Sequence, residues 1–277
     1  MTRFFILKEK TCLEAYSSGE KNGQPALLFL HGAGAHPIQF EKQLKFFSHN
    51  FFTLSIGLHA HSNNFKDKKY APEEFTLSKM AEDILFTLNQ IGVNRVHLIG
   101  NSAGGLTGYE MIKKAPEKVL SLVTFGTCPR LTYPFWMVKL ISRTDKLMLQ
   151  RRPEKYLRFA AKQSTPNSAV IEKIVTIMME SKHVAHLIRA NIGNYDYLDL
   201  LTNLTIPYLI IKGRYDNSIN KCLKKSQNVF RTNKNIQIVD FDRSGHFANL
   251  DEADLFNRTI SDFVNSIDAT SRSNGAQ

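Results

Sequence analysis

The chain has 277 residues, 43% hydrophobic and 22% charged, the balance of an ordinary globular protein large enough for one α/β domain with an insertion. No apolar run reaches the roughly 20 residues of a membrane-spanning helix, and Phe4-Phe5-Ile6-Leu7 is too short for a secretory leader, so a cytoplasmic protein without an integral membrane segment is expected. The net charge of +11 is spread over short groups (residues 66–69, Arg151-Arg152, Lys224-Lys225), which reads as a solvated basic surface with no nucleic-acid partner.

Residues 3–7 and 12–17 form a first hairpin pattern, followed by a turn-rich stretch at 19–25. Apolar runs then recur at 26–30, 51–56, 96–99, 119–125, 208–211 and 236–241. They are continuous rather than alternating, as expected of parallel strands covered on both faces. Amphipathic stretches lie between them. Residues 73–91 place Phe75, Leu77, Met80, Ile84, Leu88 and Ile91 at helical spacing, and further helices are expected at 106–115 and 251–267. Strands alternating with helices imply a doubly wound sheet. The rhythm breaks at residues 129–194, a helix-like stretch rich in Arg, Lys, Met and aromatics. It carries Tyr133-Pro134-Phe135-Trp136-Met137 and helical patterns at 153–162 and 170–179. It reads as a helical insertion between core strands, leaving 1–128 and 195–268 as the core and 269–277 as a polar, disordered tail. Cys12, Cys128 and Cys222 lie far apart with no CxxC and read as incidental thiols.

Four short segments carry possible chemistry. Gly100-Asn101-Ser102-Ala103-Gly104 lies between an apolar run and a helix. A serine hydroxyl is a weak nucleophile unless it is exposed, aligned with a base and faced by oxyanion donors. A sharp strand-to-helix turn supplies the exposure and lets the Ala103 N–H serve the oxyanion; the competing role for Ser102 is a simple helix N-cap. His31-Gly32-Ala33-Gly34 follows another apolar run. Its small residues suit a second oxyanion donor, Ala33 or alternatively Gly34, while His31 fits a structural histidine. Asp216, after the run at 208–211, is placed to orient a histidine or to cap the next helix; catalysis is the preferred role. The segment after 119–125, Gly126-Thr127-Cys128, offers no rival carboxylate. His246, in Ser244-Gly245-His246 after the last run, is the candidate general base.

The set His31-Gly32-Ala33-Gly34, Gly100-Asn101-Ser102-Ala103-Gly104, Gly213-Arg214-Tyr215-Asp216 and Gly245-His246 resembles the α/β-hydrolase superfamily in motif and order, over residues 10–268. The resemblance implies an α/β-hydrolase fold, a mostly parallel sheet of about eight strands with residues 129–194 as a helical cap. Tyr133, Phe135, Trp136 and Met137 would then line an apolar substrate pocket. One segment departs from the family pattern: Leu58-His59-Ala60-His61-Ser62 stands where relatives show Gly-His-Gly-x-Ser, keeping the His and Ser but neither glycine. The His59-x-His61 pair lacks the Asp-His continuation of a metallo-hydrolase, so no metal and no cofactor are expected.

These features together lead to a serine hydrolase acting on a small or medium apolar carboxylic ester, thioester or lactone. Its triad would be Ser102, Asp216 and His246. A serine at position 102 argues against dehalogenase or epoxide hydrolase chemistry, which in resembling families runs through a carboxylate. The enzymatic alternative is a carbon–carbon bond hydrolase of the ring-cleavage type; the non-enzymatic one is a ligand-binding receptor on the same fold.

Overall fold

A computed structural model describes residues 1–8, 11–62 and 68–274, with side chains as far as Ala269. Positions 66 and 67 of the first basic group and the tail's last residues, 275–277, lie outside the described residues. The strands are β1 (Thr2–Lys8), β2 (Thr11–Ser18), β3 (Ala26–Leu30), β4 (Thr53–Ile56), β5 (Val96–Asn101), β6 (Val119–Phe125), β7 (Arg130–Thr132), β8 (Asn194–Asp196), β9 (Tyr208–Gly213) and β10 (Ile236–Phe241). Eight of them form one sheet in the order β1-β2-β4-β3-β5-β6-β9-β10, with β2 antiparallel to β1 and β4 and the other pairs parallel.

The helices are α1 (Glu41–Phe47), α2 (Leu77–Gln90), α3 (Ala103–Lys114), α4 (Phe135–Arg151), α5 (Pro153–Ser164), α6 (Ile171–Met179), α7 (Ala185–Arg189), α8 (Leu198–Thr202), α9 (Asn217–Lys225), α10 (Gln227–Thr232), α11 (Ala248–Asp251) and α12 (Ala253–Asn274). Alternate residues of each central strand feed opposite cores. Leu28 and Leu30 of β3 join Ile84 and Leu88 of α2 and Tyr109 of α3 on one face. Leu27 and Phe29 meet Leu44 and Phe47 of α1 and Phe256 and Ile260 of α12 on the other. Burial on both faces explains why these strands read as unbroken apolar runs.

The expected insertion is helical in α4 to α7, but it also carries strand structure the sequence pattern did not signal. β7 and β8 pair antiparallel at its two ends, both largely exposed. With so little apolar burial, each short strand is held by its partner's backbone rather than by a hydrophobic face. Residues of this segment pack onto the sheet-and-helix layers through two apolar clusters. One joins Ile174, Val175 and Ile177 of α6 to Ala35, Phe247 and Leu250; the other joins Val184 and Ile188 to Leu58, Phe75 and Ala103. The final helix runs to Asn274, past the expected end of the folded core at residue 268. Among the described residues, no helix is long and apolar enough to cross a membrane.

Candidate active site

Strands β3 and β5 lie side by side, with Leu30 opposite Gly100, while the chain leaves β3 towards β4 on one side and β5 towards β6 on the other. Such a switch in direction opens a crevice at the carboxyl ends of the strands. The loops after β3 and β5 therefore meet: a Cβ on Gly32 would lie 3.1 Å from the Ser102 Cβ.

Ser102 sits at φ 51°, ψ −116°, a conformation strained for any residue with a Cβ. The turn is pinned from β6, where the Ser102 N–H donates to the Phe125 carbonyl at 3.0 Å and Thr127 Oγ1 donates to the Ser102 carbonyl at 3.0 Å. Gly104 lets α3 approach the end of β3, because a Cβ there would be 2.2 Å from the Leu30 oxygen. The Ser102 side chain makes no capping hydrogen bond to α3.

Asp216, at the end of the β9 loop, is buried and likewise makes no capping bond to α9. Its Oδ2 instead accepts from His246 Nδ1–H at 2.7 Å. That bond assigns the proton to Nδ1 and leaves Nε2 as the acceptor nitrogen. Burial by itself presses the His246 pKa down, but the charge and hydrogen bond of Asp216 outweigh it, and the net shift is upward. The backbone of His246 is held on both sides. Its N–H donates to Ser164 at the end of α5 at 2.7 Å, and its carbonyl accepts from Asn101 Nδ2 at 3.0 Å. Gly126, at φ 59°, underlies the ring, where a Cβ would meet His246 Cε1 at 2.8 Å.

The two oxyanion candidates after β3 differ. The Gly34 N–H is already committed, donating to His61 Nε2 at 3.1 Å. Among the described residues, no hydrogen bond engages the Ala33 N–H. Ala103 occupies the first turn of α3, where N–H groups lack intrahelical acceptors. His31 is fully buried, donating from Nδ1 to the Gly32 carbonyl at 2.8 Å and accepting from the Leu58 N–H at 3.0 Å. Burial, reinforced by the neighbouring His61, holds its pKa well below the usual histidine range, so it is a neutral structural group.

The unusual His59-x-His61 segment supplies the rest of this support. His61 donates from Nδ1 to the His59 carbonyl at 2.8 Å, and burial pushes its pKa down to about 3. His59 turns the other way, donating to Asp83 Oδ2 at 3.0 Å. Among the described residues, no group of three His, Cys, Asp or Glu side chains is arranged to hold a metal.

Ser102, Asp216, His246, Gly32 and Ala33 all open onto one cavity of about 370 Å³, lined also by residues of the 129–194 segment. Of the four cap side chains expected to line it, only Tyr133 does. Phe135 and Trp136 are each 68% exposed, and Met137 is likewise outside the lining. The physical reason is the rotation of α4: its inward positions are Val138 and Ile141, which line the cavity in their place. Sequence reasoning also missed Arg189 on the cavity wall, held by Asp145 at 3.1 Å. It missed as well that Cys128 and Cys222 meet there. Both thiols reach the Arg130 carbonyl, at 3.6 and 2.7 Å, and each acts on the other, raising the Cys128 pKa and lowering that of Cys222. Residues so far apart carry no local signal of their meeting.

The family model for the alpha/beta hydrolase fold matches residues 25–253. A 2-hydroxy-6-oxononadienedioate/2-hydroxy-6-oxononatrienedioate hydrolase of Pseudomonas sp. is 26% identical over 188 residues, which are 64% of this chain and 65% of that protein's own length. A Haemophilus influenzae protein provisionally named an esterase/lipase is 25% identical over 253 residues, 87% of this chain and 83% of that one. Among solved structures, a thermophilic esterase from Thermogutta terrifontis superposes with a TM-score of 0.80 at 19% identity, covering 96% of this chain and 99% of the other. The doubly wound sheet, the turn at Ser102 and the extent of the family match agree: the chain belongs to the α/β-hydrolase-fold family.

Proposed function

We propose that the protein is a serine hydrolase that cleaves a carboxylic ester, thioester or lactone of a small to medium apolar substrate through an acyl-enzyme on Ser102. The observation that carries this reading is the 2.7 Å His246–Asp216 hydrogen bond opening on the same cavity as the strained Ser102. In this mechanism His246 Nε2 takes the Ser102 proton as Oγ attacks the substrate carbonyl. Asp216 stabilises the imidazolium that forms. The N–H groups of Ala33 and Ala103 bind the oxyanion, and each such donor is worth roughly 3–4 kcal/mol to the transition state. His246 then protonates the leaving group, and water releases the acyl group by the reverse proton relay.

Carbon–carbon bond hydrolysis is the second reading. It is favoured by the Pseudomonas relative and by the guanidinium of Arg189, which suits a substrate carboxylate. Turnover of a p-nitrophenyl ester panel against a ring-cleavage dienoate, each with the Ser102→Ala variant as control, tests the choice. Ester turnover abolished by Ser102→Ala supports the first reading, and dienoate turnover without ester turnover supports the second. Tight ligand binding without fluorophosphonate labelling of Ser102 would overturn both in favour of a receptor.

A further inference from the structure

The outer face of α4 is unusual for a helix on a globular domain. Its inner positions, Val138, Asp145 and Leu149, are buried. Trp136, Leu140 and Leu147 recur at helical spacing on the opposite side and are 68, 57 and 44% exposed. They form one stripe with Arg143 that points into water. An amphipathic helix ordinarily turns its apolar stripe towards the core; this one carries a second stripe facing away. Phe135 adds to it, with Lys139 Nζ 4.3 Å above its ring.

The charges beside the stripe share one sign. Lys139, Arg143, Lys146 and Arg151 are exposed around it. The helix's only acid, Asp145, is buried beneath, accepting from Tyr156 and Arg189. The next helix repeats the theme, with Phe159 63% exposed and Lys155 and Lys162 on the same side of α5.

A second copy of this chain seated here would press like charges together. An anionic bilayer satisfies both features at once. Its acyl boundary accepts indole and leucine side chains, and its phosphates attract lysine and arginine heads that snorkel on apolar stems. We propose that α4 docks the protein peripherally on an anionic lipid surface. Val138 and Ile141 on the other side of α4 line the cavity, so docking sets the cavity beside the bilayer. The proposal does not depend on the chemistry at Ser102.

Trp136 is the chain's single tryptophan, so its fluorescence reports on this surface directly. The full chain is titrated with vesicles of phosphatidylcholine alone and of phosphatidylcholine mixed equally with phosphatidylglycerol, with and without brominated acyl chains. The expected result is a blue shift with anionic vesicles only, quenched by bromine and reversed by salt. Combined Lys139→Glu, Arg143→Glu and Lys146→Glu substitution weakens partitioning on the order of 100-fold. The pair Leu140→Ser and Leu147→Ser also weakens it, with far-UV circular dichroism unchanged. Unaltered emission with anionic vesicles, or an equal shift with neutral ones, overturns the proposal. So does a blue shift that follows protein concentration without lipid, which would identify a second copy as the occupant.

Discussion

At Ser102 the backbone holds a conformation that costs about 1–3 kcal/mol in a residue bearing a Cβ. Glycine adopts positive φ freely but loses up to about 1 kcal/mol more backbone entropy on folding. The Ser102→Gly variant is therefore expected to lose turnover while gaining about 1 kcal/mol in urea unfolding. No gain in stability would mean that the strain lies elsewhere. A second residue-scale expectation concerns pH. In the proposed mechanism His246 must be neutral to act as general base, and its pKa is raised above 6.5. Turnover should accordingly fall as pH drops through a midpoint above that value. Asp216→Asn removes the charge that raises it, so the midpoint should move down and kcat should fall by orders of magnitude. A limb unmoved by Asp216→Asn would detach Asp216 from His246.

At the scale of elements, the loop after β3 depends on a segment that breaks the family pattern. Leu58 and Ala60 take the places where relatives show glycine, and His61 beside them accepts the Gly34 N–H at its Nε2. Replacing His61 by Leu leaves that N–H without a partner in a buried loop. We expect kcat to drop about tenfold with KM nearly unchanged, because a displaced Ala33 donor is felt mainly in the transition state. His61→Gln retains an acceptor and should recover most of the rate; equal loss in both variants would point to packing instead. Helix α9 offers a chemical test. Cys222 opens on the cavity and has its pKa lowered by the Cys128 thiol. Alkylation by N-ethylmaleimide should fill part of the cavity and slow ester turnover, and Cys222→Ser should be resistant.

At the scale of the whole molecule, acid stability rests partly on Glu14 of β2, buried among Tyr16, Ser62, His36 and Arg3. Burial opposes its ionisation, but His36 at 3.4 Å and hydrogen bonds from Ser62 and Tyr16 prevail and bring its pKa to about 2. A depressed carboxylate stabilises the fold above the unfolded value of 4.5 and loses that contribution as pH falls towards 2. The contribution amounts to about 3 kcal/mol at neutral pH. Unfolding free energy measured between those limits should fall less steeply in Glu14→Gln than in the unaltered chain.

How much of this was legible in the chain follows from where the information sits. The strands were readable because a parallel sheet buries both faces, so β3, β6 and β9 stand out as local apolar runs. Ser102, Asp216 and His246 were readable as candidates because each follows such a run, and chain order is a one-dimensional property. The sequence by itself therefore determined the fold class and the candidate residues. It did not determine which side chains meet. The hold of His61 on Gly34 joins positions 27 apart, and the meeting of Cys128 with Cys222 joins the loop after β6 to helix α9, with residues 129–194 between them. The outward turn of Trp136 depends on the rotation of α4 over the core, which is set by packing at Val138, Asp145 and Leu149. Tertiary structure alone decided the support of the loop after β3, the identity of the cavity wall and the basic apolar face on α4, because each arises from contacts between segments with no local pattern linking them.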